Sequence, residues 1–153
     1  MSLTMIIDRT AADVNSARLL RLKIQSGQSL AESEQTALER GACTITMLNR
    51  IESAQKTLAA LLNKYAYPVH ISNKTDWSYS DVLDRDNYNR ILNNVNTLRN
   101  AYYVYADTPN TPLYMFGYKE ANDIEKILAD IDNMIKSMTN NFRQCGTFNC
   151  GEE

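Results

Sequence analysis

The chain has 153 residues, 16 basic and 18 acidic side chains and a formal net charge of −2; this length fits one ordinary domain, and the charge balance offers no positive field to draw in nucleic acid. The longest apolar runs, such as Thr57 to Leu62, fall far short of the ~20 residues that cross a bilayer, and the start MSLTMIIDRT has no basic region leading into an apolar core. No membrane partner and no ordinary secretion signal are therefore expected.

Residues 1–9 read as an N-terminal extension, with Met1-Ser2-Leu3 set aside as of expression-vector origin, and residues 10–153 as a single helical domain. Thr10 with Asp13 three residues on resembles a capping box, and Val14, Ala17, Leu20 and Ile24 follow at helical spacing up to Gly27. This predicts a first helix over about 11–26. Ser29 with Glu32 opens a short second helix, closed by Arg40 and Gly41 in the usual cation-then-glycine order. Thr44 or Thr46 caps the third, where Met47, Ile51, Ala54, Leu58, Leu61 and Tyr65 form one apolar stripe ending before Pro68. Asp84 caps the fourth through the amide of Asn87, and Tyr88, Ile91, Val95, Leu98 and Tyr102 continue the pattern. The fifth begins near Tyr118 and carries Ile124, Ile127, Ile131, Met134 and Met138.

Three stripes of about 20 residues, each roughly 30 Å long, can bury one another side by side. The expectation is an all-α, antiparallel bundle of about five helices, three long and two shorter, the first two packed on a flank or an end. Two connections, YAYPVHISNKTDWSYSDVL and ADTPNTPLYMFG, are long for a bundle; such loops either pack as caps or carry function. Val69-His70-Ile71 could form a short strand, and the tail FRQCGTFNCGEE reads as a turn or small hairpin.

The usual chemical constellations are missing from the sequence. His70 is the only histidine, so no Glu-x-x-His pair can supply a di-iron centre. The five glycines never fall in a phosphate-loop pattern, and Ser80 or Cys43 as nucleophile has few bases to call on. Asp76, Asp81, Asp84 and Asp86 lack the calcium-loop frame, which leaves helix capping as the simpler account. Glu120, Asp123 and Glu125 suit the dipole of the fifth helix, where Lys126 and Asp130 add an i,i+4 pair. Cys145 and Cys150 with one remote cysteine do not make an ordinary zinc set, and in a reducing compartment they stay thiols, acting as small apolar residues. No metal, cofactor or catalytic residue is assigned.

Two sets of residues remain. Asn94 borders the fourth stripe and Arg99 follows within a turn; both are expected to tie the loops to the bundle through backbone groups or Asp76. Tyr79, Tyr114 and Phe116 lie outside any helical stripe and are of the types that interface cores favour, so they are the candidate partner-binding residues, while Trp77 is expected to pack internally.

Leu48-Asn49-Arg50, Lys74-Thr75-Asp76-Trp77, Asn94 with Leu98-Arg99, Thr108-Pro109 and Pro112, EANDIEKIL at 120–128 and the doubled Cys-Gly before Glu152 together resemble a small module of phage and prophage tail or baseplate regions in Firmicutes. The resemblance runs from about Ile7 to Glu152. It implies a non-enzymatic structural or adaptor protein, in the bacterial cytoplasm when expressed from a prophage and in the virion once assembled, with tail or baseplate proteins, or further copies of itself, as partners. In that family the doubled step is often Ser-Gly, in keeping with the turn reading of the tail. This chain departs from the family pattern at Ala31, where a Ser or Thr cap is usual, and at Gln144 and Asn149, where aromatic residues are usual. The alternative reading is a module that binds surface glycan or another ligand through its loop aromatics.

Overall fold

In a computed structural model, which describes residues 3–114 and 117–145 with side chains through residue 141, the chain forms five helices and no strand among the described residues. They are α1 (Ala11–Gln25), α2 (Glu32–Gly41), α3 (Ile45–Lys64), α4 (Arg85–Ala101) and α5 (Tyr118–Cys145). The expected Cys145–Cys150 turn lies, beyond the end of α5, outside the described residues.

Local chemistry sets most boundaries. Thr10 and Asp13 close a reciprocal capping box at α1, and the side chains of Thr44 and Asp84 accept the amides of Met47 and Asn87 at α3 and α4. The start of α2 differs from the Ser29–Glu32 expectation: Ala31 is the cap, and because its methyl can accept nothing, the Glu34 carboxylate reaches back to its amide at 2.9 Å. After α3 the chain turns through Ala66 at φ 65°, with Tyr67 N–H donating to the Leu62 carbonyl and Ala66 N–H to that of Asn63. That is the Schellman closure, with alanine in the left-handed position that glycine usually takes.

The all-helical class is as expected, but the helix directions are not. Arg50 and Tyr65 near the two ends of α3 meet Glu125 and Thr139 of α5 in that order. Glu52 and Gln55 of α3 meet Arg90 and Asn94 of α4, and beyond both helices the Tyr67 and Tyr102 rings lie 4.4 Å apart. The three long helices are therefore parallel, which corrects the antiparallel expectation. The physical reason lies in the connectors, residues 65–84 and 102–117. A 30 Å helix is matched by about nine extended residues at ~3.3 Å each, so either connector is long enough to run the full length of the bundle and start the next helix at the first end.

Each connector follows a groove between helices on its way back. The first touches Asn63 with Val69, then Asn94 and Gln55 with Ser72 and Asn73, then Asn49 with Trp77. Val69–Ile71 is thus extended but pairs with no strand; the Asn63 side chain takes both the N–H and the carbonyl of Val69. The second passes Asp130 with Thr108, Arg99 with Pro109 and Asn96 with Thr111. Residues 3–9 do the same along α5, where Leu3, Ile6 and Arg9 donate backbone N–H groups to Asp132, Glu125 and Asn122. Leu3 and Met5 pack against the core, so Leu3, set aside on sequence grounds, belongs to the fold. The bundle is three repeats of an extended segment descending and a helix ascending, with α1 and α2 inserted between the first segment and the first ascending helix.

The core is built from α3, α4 and α5, around Ile51, Leu58, Ile91, Val95, Ile124 and Leu128, closed by Val69 and Trp77 from the first connector. α1 and α2 contribute nothing to it. They form an antiparallel pair joined by Lys23–Glu34 at one end and Arg40–Asp13 at the other, and Ala17 is the single buried residue of α1. Val14 and Ile24, expected on a buried stripe, are partly in solvent because no bundle helix covers them.

Candidate interaction site

The buried polar groups of this bundle hold its extended segments. Glu52 on α3 is 0 % exposed and lies one turn from Leu48 on the inward side of the helix. Its two oxygens accept from Arg90 Nη1 and Nη2 at 2.7 and 2.9 Å, from Trp77 Nε1 at 2.8 Å and from the Lys74 backbone N–H at 2.6 Å. A carboxylate with four donors, two of them from a bidentate guanidinium, offsets its loss of hydration. Glu125 on α5 is equally buried and takes Arg9, Arg50 and the Ile6 amide. Asp130 accepts from Thr108 and pairs with Lys126, while Asp132 accepts from the Leu3 amide and pairs with Lys136. One inward carboxylate thus receives the first connector, another the second, and two receive the N-terminal segment.

Asn94 donates to the Ser72 carbonyl at 2.6 Å and to Gln55 Oε1 at 3.1 Å; Gln55 in turn donates to the Ile91 carbonyl. Arg99 holds the second connector through the Pro109 carbonyl and Asn110. Neither touches Asp76, which lies in solvent and pairs only with Lys74 among the described residues. Lys74 also sits 5.5 Å above the Trp77 ring, and Trp77 is 4 % exposed. The acceptors that fix the tryptophan segment are Glu52, on the indole N–H, and Asn49, on the Trp77 backbone N–H.

Of the candidate contact residues, Tyr79 is 94 % exposed and Tyr114 stands well out in solvent; Phe116 lies outside the described residues. The two connectors leave α4 from opposite ends, yet because the second runs back along the helix, its tip returns to the start of α4. There Leu113 and Tyr114 face Leu83, Arg85 and Tyr88 across a cleft of about 370 Å³. Leu113 is 89 % exposed, and Val82 beside the cleft is also bare. Burial, and secondarily the neighbouring Glu120 and Cys43, push the Tyr88 phenol up to about 12, so it is neutral near pH 7. A second cavity, of about 300 Å³, separates the α1–α2 pair from this same end of the bundle and is walled by Val14, Cys43, Met47, Leu83 and Ala121, with Arg9 and Arg40 at its edge.

Sequence reasoning missed Glu52, Glu125, Arg9, Arg50 and Arg90, because charged helical residues ordinarily face water. A signal was present: Leu48, Glu52, Gln55, Ala59 and Leu62 follow the same alternation of four and three as an apolar stripe, with two polar residues inside it. Among the described residues no group of three or more His, Cys, Asp or Glu side chains could hold a metal, and no helix is long and apolar enough to cross a membrane. The chain matches no family model, no curated protein and no solved structure.

Proposed function

We propose that the protein is a non-enzymatic structural or adaptor component of a phage or prophage tail, acting through protein–protein contacts made by its two connectors. The observation that carries this reading is the meeting of both connectors at one end of the bundle, where Leu113 and Tyr114 lie in solvent at a cleft shared with Leu83, and Tyr79 and Val82 are exposed in the stretch of the first connector that leads to Leu83. Large apolar side chains gathered on a rigid frame are the usual mark of a docking surface. The frame is rigid here because Glu52, Asn94 and Arg99 are all engaged in holding the connectors down. Placement in a tail rests on the order and spacing of the motifs from Leu48 to Glu152.

The glycan alternative needs an open aromatic platform. Trp77, the strongest candidate for stacking on a sugar ring, is instead sealed against α3 with its indole N–H on Glu52. The test is copurification with virion proteins and pull-down on immobilised tail and baseplate proteins, comparing the parent with the triple variant Tyr79→Ser, Tyr114→Ser, Phe116→Ser. Capture by the parent and loss in the variant at unchanged helicity is the expected result. Equal capture of both removes the connectors as the docking surface, and absence of the protein from particles removes the tail reading.

A further inference from the structure

The cavity between the α1–α2 pair and the bundle, about 300 Å³, is walled by the N-terminal segment, α1, the end of α2 with its link to α3, α3 itself, the end of the first connector and the start of α5. A guest there is surrounded and not laid across a face. Much of the wall is short, since Gly41, Ala42, Gly117 and Ala121 all line it, and the bulkier Val14, Met47 and Leu83 complete an apolar body. Water gains little in such a place, because it needs about 2–4 polar partners to replace those of the bulk.

Among the described residues the charged groups on its lining are Arg9 and Arg40, and their donors are in use. Arg9 gives Nε to the Arg40 carbonyl, Nη1 to that of Ile6 and Nη2 to Glu125; Arg40 gives Nε to Asp13 and Nη2 to Asp8. An incoming anion would compete with carboxylates already seated. What such a guanidinium still offers is its flat face, which stacks on aromatic rings. Cys43 and Met47 add sulfur to the lining and Tyr118 a ring, and both kinds of group favour an aromatic neighbour. A dry apolar cavity of about 150 Å³ takes benzene; this one has room for two fused rings.

We propose that this cavity is a binding site for a small, uncharged, fused-ring aromatic compound of about the size of indole, enclosed by Val14, Met47 and Leu83 with the Arg9 and Arg40 guanidiniums at its rim. Apolar walls with a few polar groups at the edge are the usual make-up of a small-molecule site. The site does not rest on the docking role given to the connectors above, and either reading can fail alone.

The experiment titrates indole and, separately, indole-3-carboxylate into the full chain, followed by NMR shifts and by the alkylation rate of Cys43. That thiol keeps solvent access, and with Cys145 and Cys150 replaced by serine it is the only one in the chain. Indole is expected to give saturable shifts centred on Val14, Met47, Leu83 and Ala121. At about ten times its dissociation constant it should slow alkylation about tenfold, in proportion to the unoccupied fraction. The carboxylate, which would bring a charge among apolar walls, should bind about tenfold more weakly or worse. Two variants fill the cavity from opposite walls, Val14→Phe on α1 and Ala121→Leu on α5; each should lose indole binding at unchanged helicity, and where one fails to fold the other decides. Leu19→Phe, on the exposed surface of α1 away from the lining, should bind as the parent does. No saturable shift in the parent, shifts centred on the Leu113–Tyr114 cleft, binding kept by a folded cavity-filled variant, or equal affinity for the carboxylate each overturns the proposal.

Discussion

Glu52→Gln tests whether one carboxylate holds the first connector in its groove. The substitution keeps volume but removes the charge and turns one acceptor oxygen into an NH2 donor. One side of the group currently receives Trp77 Nε1 and Arg90 Nη2, the other Lys74 N–H and Arg90 Nη1, so whichever way the amide turns, two donors face a third. Removing one partner of a buried pair typically costs about 3–5 kcal/mol. The Arg90 side chain is 21 % exposed and can recover some hydration, which places the expected loss near the lower end, about 3 kcal/mol, or a fall of roughly 6–12 °C in melting temperature for a domain of this size. The assay is urea unfolding followed by the fluorescence of Trp77, the only tryptophan, whose indole N–H leaves Glu52 as the connector lifts. The double variant Glu52→Leu, Arg90→Met separates ion pairing from connector anchoring. It removes both charges but leaves the Trp77 and Lys74 donors without an acceptor, at about 1–3 kcal/mol each, so it should stay well below the parent in stability even though no unpaired charge is left. A Glu52→Gln protein within about 1 kcal/mol of the parent, or amide exchange across residues 72–77 no faster than in the parent, would refute the anchoring role.

Leu58→Asp places a charge where the parent side chain is wholly buried, and its unfolding midpoint should fall by several kcal/mol's worth of denaturant; a parent-like melt would show that the α3 stripe faces water. In Gly41→Ala the new Cβ would lie 1.9 Å from the Asp13 carbonyl oxygen, so α1 and α2 must part, and exchange should quicken across residues 11–41 while the core amides keep their protection. Asn94→Ala removes the donor to the Ser72 carbonyl and should loosen residues 71–74 specifically, read by the same exchange measurement. Acid should loosen the α1–α2 pair early. The Asp8 carboxyl is held below the ordinary carboxylate range chiefly by its hydrogen bond to Arg40, Asp13 chiefly by Thr10 and Glu34 chiefly by Lys23. A depressed folded-state value contributes stability that is full at neutral pH, begins to fade as pH drops past the usual range near 4, and is gone below the depressed value. Backbone shifts of residues 8–41 should therefore move as pH falls below about 4, ahead of the core; simultaneous change everywhere would argue against local linkage.

The helix positions were legible because period and capping are local: Thr10, Thr44 and Asp84 act at the positions their side-chain chemistry indicates. Helix direction was not legible from the stripes, since an apolar face is the same read up or down. The readable sign is connector length: the segments after Tyr65 and Tyr102 read as long loops, yet each is long enough to return along a helix. Asn94 and Arg99 stood out as polar residues at the edge of a stripe. Glu52 and Glu125 did not, because their partners are Trp77, Arg90, Arg9 and Arg50, which no spacing rule connects to them. The cleft depends on the return of Leu113 to the start of α4, and no one-dimensional pattern reports that.

The parallel arrangement also dictates the order in which this chain can acquire its structure. No two of the long helices can zip together as a local hairpin; each must wait for a connector to be drawn back first, and the segment that begins the descent is completed by the helix that ends the ascent. Arg9 meets Glu125 across a sequence separation of 116, and Leu3 meets Asp132 across one of 129. Such distant contacts slow folding. On a ribosome adding about 5–20 residues per second, Arg9 is synthesised roughly 6–23 s before its carboxylate partner. Arg50 of α3 waits for the same carboxylate once it is made, and the first residues can close over α5 only after that last helix has been synthesised.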